Sequence, residues 1–293
     1  MEHSHSNFLT VDVEEYYHVN YAGCDPSVYA GERTNLPRLV DRLLEIFATA
    51  RVRCTFFVLG VIGEKYPEVV RSIHAACHEV ASHGCNHRGV REMSAAEFTS
   101  DVLRSCGILE SLTGEKVSGF RAPSFSVDRE TMPRFYGVLH ACGLEYSSSV
   151  FPGRTFLYGV PGFPIYPHQP VFGGSPTRIV EFPITGFGFL GRRLPLYLRM
   201  LSAPALERKI HKENSNGRPA VLYVHPREID PDQPRLPIPR WQALLHYWGI
   251  RGCEAKLCRL LNGSARFCTM REYIVAGGVS PLKDIACLDV TRY

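Results

Sequence analysis

The chain has 293 residues, 45% hydrophobic and 21% charged, with a formal net charge of +4. That length suits one large α/β barrel or two ordinary domains, and the composition is that of a soluble globular protein. The basic residues are scattered, with Arg192-Arg193 and Arg208-Lys209 the only adjacent pairs, so the clustered stripe of a nucleic-acid binder is absent and no such partner is expected. The first 30 residues hold no basic stretch followed by an apolar one. No window approaches the ~18 apolar residues of a membrane span, so a cytoplasmic protein without a transmembrane segment is expected. Ten cysteines are spread along the chain with no C-x-x-C, which reads as reduced, mostly buried thiols rather than a metal ribbon or a disulfide framework.

In chain order, Phe8–Val13 reads as a buried strand and 36–50 as a helix. Asn35 is placed to cap that helix, Pro37 suits its first turn, and Leu36, Leu39, Val40, Leu43, Leu44 and Phe47 form its apolar stripe. Thr55–Leu59 is the next strand, 62–77 a helix and Glu79–Ser82 a third strand. Ser94-Ala95-Ala96-Glu97 is a capping box opening a helix to about 112. Lys116–Phe120 follows as strand, 129–141 as helix and Leu144–Ser147 as strand. A loop rich in Gly, Pro and aromatics runs over 151–177, long enough to be functional. Arg178–Pro183 is a strand, 195–213 a helix and Ala220–His225 a strand. A Pro-rich stretch then leads to a helix over 240–261, a strand at Ala265–Cys268 and a short helix at 270–276. About seven β-α units without a low-complexity linker predict a single parallel barrel, whose catalytic groups would lie at the C-terminal ends of its strands.

The chemistry-bearing residues fall at such ends. On an extended strand Asp12 and Glu14 point to one side, so one carboxylate can hold a metal while the other faces a water on it. Glu15, alternating to the other side, reads as a surface residue. His83 and His87, after the third strand, are one turn apart if the segment coils and can then reach one ion. A carboxylate with two imidazoles is the donor set of a metal-assisted hydrolase. Arg121 stands beside the Pro123 turn, where it can fix a carboxylate in a bidentate pair while amides after Pro123 face an oxyanion. The lone His225 ends a buried strand and, taken alone, reads as a satisfied core histidine. Tyr158, Phe163, Tyr166, Phe172 and Arg227 come near the barrel mouth in sequence, where the aromatics either stack on a bound ring or seal the barrel.

Four ordered motifs, Thr10-Val11-Asp12, Ser82-His83 to His87, Arg121-Ala122-Pro123-Ser124 and Leu222-Tyr223-Val224-His225, resemble those of the polysaccharide deacetylases of the NodB-homology type, carbohydrate esterase family four. Val11-Asp12-Val13-Glu14, the run Tyr223–Asp230 and the tail around Leu245–Trp248 further resemble the subgroup encoded in exopolysaccharide loci, some linked to exosortase systems. The resemblance implies a distorted (β/α)7-type barrel over 1–226, with a C-terminal helical extension over 227–293 packed on it. It implies a metal-dependent N-deacetylase acting on N-acetylated glycans, with a divalent ion, Zn2+ by preference, on Glu14, His83 and His87. Asp12 would be the base, Arg121 its partner, His225 the acid and Ser124 the oxyanion donor, with Glu181 and Arg227 on the substrate side. Exopolysaccharide assembly proteins would be its partners.

The sequence departs from that family in two places. The usual adjacent Asp-Asp is replaced by Asp12-Val13-Glu14, which moves the metal carboxylate to Glu14. Ser147 stands where many members carry an Asp that tunes the catalytic His, and Glu181 is the carboxylate expected to compensate. Two other readings compete: a metal-dependent hydrolase of small or cyclic amides, and a catalytically inactive glycan-binding relative.

Overall fold

A computed structural model describes residues 6–19, 25–29, 31–32, 34–155, 157–172, 175–189, 192–195 and 198–278. Its centre is a curled sheet of eight strands: β1 (Ser6–Val13), β2 (Thr55–Val58), β3 (Glu79–Ser82), β4 (Gly119–Phe120), β5 (Tyr146–Ser147), β6 (Val180–Glu181), β7 (Val221–Val224) and β8 (Arg266–Phe267). The order is β7-β1-β2-β3-β4-β5-β6, all pairs parallel, with β8 also on β1. The ring comes round where the Thr185 amide donates to the Val221 carbonyl at 3.1 Å and the Val221 amide to Thr185 Oγ1 at 2.8 Å. This is the expected α/β barrel, distorted by its shortest strands.

The period of two along each strand sorts the core. From β1, Leu9, Val11 and Val13 join the layer between sheet and helices, while Phe8 faces the interior with Phe57, Tyr146, Phe182, Val221 and Tyr223. Thr10 follows the inward parity, its hydroxyl donating to the Leu222 carbonyl at 2.9 Å. Outside lie α1 (Leu36–Ala50), α2 (Gly60–Lys65), α3 (Pro67–Ala75), α4 (Ala95–Thr113), α5 (Met132–Ala141), α6 (Ala203–Ser215), α7 (Arg240–Tyr247), α8 (Cys253–Leu261) and α9 (Met270–Val275). The described residues 227–278 pack on the same body: α8 lies against α1 and α6, and the Met270 amide donates to Thr55 Oγ1 at 3.0 Å. The eight described cysteines are all free thiols.

Several elements differ from expectation for local reasons. The helix expected over 62–77 is two, because Pro67 opens α3 and its ring cannot continue α2. The helix expected over 240–261 breaks at Gly249, whose φ is +76° and whose missing Cβ would stand 2.2 Å from the Arg199 carbonyl. Residues 192–195 pair as a hairpin with Gly186–Phe189, so α6 starts only at Ala203 rather than near 195. Asn35 makes no side-chain cap, and Thr34 Oγ1 accepts from the Leu36 amide at 3.2 Å instead. The capping box at Ser94 and Glu97 forms as read. Strands β4, β5 and β6 shrink to two residues each. The Tyr146 ring lies against the backbone of Gly119, where any Cβ would meet it at 2.0 Å.

Candidate metal and catalytic site

The site forms at the C-terminal mouth of the barrel, in a cavity lined among others by Asp12, Glu14, His83, His87, Ser124, His225 and Arg227. Asp12 and Glu14 share the inward parity of β1 and are 2% exposed each. Glu15 is not the surface residue expected: 1% exposed, it points the other way, to Lys65 Nζ at 3.2 Å and the Thr34 hydroxyl at 2.6 Å, and takes no part in the site.

His83 and His87 converge without a helix. The chain leaves β3, turns through left-handed Gly84 (φ +78°) and again through His87 (φ +56°). The Asp101 carboxylate accepts from the Cys85 amide at 2.9 Å and fills the space where a Cβ of residue 84 would stand, 2.9 Å from Oδ2. Glycine is therefore required at 84, and left-handed His87 is backbone strain of the kind that collects at functional sites. The result puts His83 Nε2 at 3.8 Å and His87 Nε2 at 2.8 Å from Glu14 Oε2.

These three side chains fit a cation. His83 Nδ1 lies 2.8 Å from the Arg121 carbonyl, which can only accept, so that nitrogen carries the proton and Nε2 presents a lone pair. Glu14 Oε2 is buried and receives no hydrogen bond. One ligand atom from each of Glu14, His83 and His87 lies within 4.8 Å of the others. Lone pairs gathered around a buried oxygen without a donor are the arrangement a divalent ion satisfies.

Arg121 is the other anchor, 0% exposed with its guanidinium 4.1 Å from the centre of the Phe57 ring. Nη1 donates to Asp12 Oδ1 at 2.7 Å and Thr10 Oγ1 at 2.6 Å; Nε and Nη2 donate to the Ser148 carbonyl and hydroxyl at 2.9 and 2.7 Å. Asp12 Oδ2 is left facing His225, whose Nε2 is 3.8 Å away. The same nitrogen lies 3.4 Å from Glu14 Oε1, which Arg227 Nη1 also contacts. Burial alone would raise the Glu14 carboxyl, but Arg227, His87 and His225 outweigh it and hold it well below the usual carboxylate range. Ser124 and Phe125 are consecutive left-handed residues (φ +51° and +49°) at the Pro123 turn, and both line the cavity.

Glu181 is not on the cavity wall. It is fully buried, accepting from the Ser149 and Val150 amides at 2.8 and 2.9 Å and from the Tyr136 hydroxyl at 3.0 Å. It thereby fixes the 147–150 segment, whose Ser148 grips Arg121. On the Nδ1 side of His225 the carboxylate is Glu228, not Glu181: Oε1 is 3.9 Å from Nδ1 and accepts from Arg199 Nε at 3.0 Å. Burial pushes Glu228 up, yet His225, Arg199 and Arg227 bring it down to about 2. A carboxyl depressed in the fold stabilises it above its ordinary value of 4.5, and loses that contribution as pH falls toward 2. The Glu228→Gln protein should therefore be less stable than wild type near neutrality, by up to about 3 kcal/mol. The gap should close on acidification from about pH 4.5 to about pH 2; urea midpoints across that range measure it, and a gap independent of pH refutes it.

Sequence reasoning singled out neither Glu228, Arg199 nor His246. Glu228 carried a signal in its i+3 spacing from His225 and His246 in the Leu245–Trp248 run, while Arg199 carried none. His246 comes in from α7 and His18 from the loop after β1; His18 stacks on His87 at 5.6 Å. Burial lowers both His18 and His246 to about 3, so both are neutral. Of the aromatics expected near the mouth, Tyr158 lines the cavity, Phe163 and Tyr166 do not, and the Phe172 side chain lies outside the described residues.

Residues 30–146 match the family model described as Polysaccharide deacetylase, and 148–275 match one described as Domain of unknown function (DUF3473). Asp12 and Glu14 precede the first stretch, while His225 to Glu228 fall in the second. A peptidoglycan deacetylase-like protein of Gibberella zeae is 32% identical over 130 residues, 43% of this chain and 37% of that relative. A peptidoglycan deacetylase of Helicobacter pylori is 32% identical over 84 residues, 29% of each chain. A chitooligosaccharide deacetylase of Bradyrhizobium is 33% identical over 75 residues, 26% of this chain and 34% of that one. The chain thus spans about a third of the length of these curated relatives. Two solved structures share the fold. One is described as Puue allantoinase (TM-score 0.63, 16% identity, 97% of this chain and 94% of that one). The other is described as a probable polysaccharide deacetylase from Pseudomonas aeruginosa PAO1 (TM-score 0.59, 18% identity, 95% and 92%). Residues 30–146 thus match the polysaccharide deacetylase family model and are similar to deacetylase relatives, and the barrel is the fold of the two solved structures.

Proposed function

We propose that this protein is a metal-dependent N-deacetylase that removes acetyl groups from N-acetylated amino sugars of a polysaccharide or its lipid-linked precursor. The observation that carries the reading is the convergence of Asp12, Glu14, His83, His87 and His225 around one cavity, with Arg121 locked on Asp12. The relatives' names, peptidoglycan and chitooligosaccharide deacetylases, point to N-acetylglucosamine units.

Glu14, His83 and His87 would hold a divalent ion, zinc by the borderline character of an N2O donor set. Such an ion supplies a Lewis acid that brings the pKa of water toward about 7 and polarises an acyl oxygen. Asp12, oriented by Arg121, takes the proton from the attacking water through Oδ2. The Ser124 backbone N–H serves the developing oxyanion. His225 hands a proton to the departing amine, positioned by Glu228, which Arg199 holds in turn. Arg227 and Tyr158 stand at the cavity wall where the sugar would lie, and Phe125, Leu157 and Tyr223 keep it apolar. Acetate and an amino sugar result.

Retention of a complete donor set favours an enzyme over an inactive glycan-binding relative. We place the protein in the exopolysaccharide-locus subgroup, in the cytoplasm, with assembly proteins of such a locus as partners. In this reading residues 1–226 are the barrel and 227–293 the extension on it. The test is acetate release from N-acetylglucosamine oligomers and lipid-linked N-acetylamino sugars, with and without chelator, beside allantoin as a cyclic ureide. Acetate release abolished by chelator and restored by zinc is expected. Turnover of allantoin with none of the glycans, or no turnover by metal-loaded protein, overturns the reading.

A further inference from the structure

The outer face of α7 is apolar in a way the core does not require. Trp241, Leu244 and Trp248 are 55%, 61% and 58% exposed. At 100° per residue, positions 241, 244 and 248 fall within an arc of roughly 60°. Met200, 45% exposed, lies one residue from Arg199, whose carbonyl packs on the Gly249 backbone and whose Nη1 donates to the Trp248 carbonyl. Single exposed apolar side chains are ordinary; three large ones on one helix face, with Met200 adjoining the turn that follows, are not.

Along the sequence, the charge flanking them has one sign, although Arg199 is itself taken up by Glu228 at 3.0 Å. Between Asp232 and Glu254 the only charged residues are Arg235, Arg240 and Arg251, and between Glu181 and Glu207 only Arg192, Arg193 and Arg199. Arg240 and Arg251 are exposed at the two ends of the apolar face. Tryptophan and leucine with the exposed Arg240 and Arg251 at either end complement the headgroup region of an anionic bilayer, where the indole is amphipathic and the guanidinium meets phosphate. A sugar platform would set polar or acidic acceptors beside its aromatics, whereas here Leu244 and Met200 fill those places. A second copy docked about a two-fold axis would bring arginine against arginine. We propose that this face of α7, with Met200 and the 248–251 turn, docks on an anionic lipid bilayer. The opposite face of the same helix sends His246 into the cavity, so docking holds the barrel mouth next to the lipid surface. The proposal stands apart from the reaction assigned to the cavity.

Trp241 and Trp248 are the only tryptophans of the chain, so intrinsic emission reports on this face alone. Full-length protein is titrated with phosphatidylcholine vesicles with and without phosphatidylglycerol, and separately with N-acetylglucosamine oligomers. The expected result is a blue shift with the anionic vesicles, quenching by brominated lipid, and loss of the shift at high salt. Arg240→Gln/Arg251→Gln should weaken vesicle affinity about thirty-fold, the change expected for two surface arginines at about 1 kcal/mol each. Trp241→Ser/Leu244→Ser/Trp248→Ser should fail to co-float with vesicles while keeping its circular dichroism. No shift with anionic vesicles overturns the proposal. So does a shift driven by the oligomers alone, or one that follows protein concentration without lipid and tracks a dimer mass.

Discussion

The His87→Ala protein should lose acetate release by on the order of 10³-fold or more, and lose with it the rise in melting temperature that zinc gives the wild type. The first effect follows from removing a ligand of an ion worth several kcal/mol to the transition state. The second is independent of activity. A ligand that binds only the folded state at a hundred times its Kd stabilises by about 2.7 kcal/mol, which is roughly 5–10 °C for a domain of this size. With His87 gone, Glu14 and His83 remain as a two-point set, too weak for that shift. The backbone supplies the control. Residue 87 sits at φ +56°, so alanine keeps the strain while His87→Gly relieves it. The two variants should differ in zinc-free stability, the glycine protein being the more stable, and agree in lacking the zinc shift. A wild-type zinc shift in either variant removes His87 from the ligand set.

How the site was legible follows from what each contact is made of. Parity along β1 is written in the alternation of Phe8, Thr10, Asp12 and Glu14 against Leu9, Val11 and Val13, and the fold keeps it. Strand ends were legible too: Asp12, His83 and His225 line one mouth, and Arg121 is buried behind Asp12. The way His83 and His87 meet was not. The spacing suggested a helical turn, but two left-handed residues and the Asp101 carboxylate shape the loop instead. Glu181 misled for a related reason. Its partners are backbone amides, which every residue has and no sequence marks. Arg199 and His246 reach the cavity from distant segments, and only closure of the barrel brings them there. The break before α8 was hidden likewise, because the obstacle at Gly249 is a carbonyl from residue 199.

Arg121→Met should be the most destabilising single change in the site, at about 3–5 kcal/mol, although methionine keeps much of the volume. The guanidinium is fully buried and donates to Asp12, Thr10 and Ser148. Removing it leaves a buried carboxylate without its cation and several acceptors without donors, which is where the cost of a broken buried pair lies. Asp12→Asn is the opposite case. The amide oxygen can still accept from Nη1, so the fold should lose little, but the side chain can no longer take a proton. The rate should fall by about 10²–10⁴-fold with the zinc-dependent melting shift intact. Asp12→Asn/Arg121→Met then decides what the arginine is for. If its main role is to neutralise Asp12, the double variant should be more stable than Arg121→Met alone, because no charge is left stranded, and the two changes should be far from additive. If the double variant is as unstable as the sum of the singles, the Ser148 and Thr10 contacts carry the stability, and Arg121 is first a clamp between β4 and the 147–150 segment. Urea titrations of the four proteins at one pH give the coupling directly. A cost below about 1 kcal/mol for Arg121→Met would contradict the buried-pair account itself.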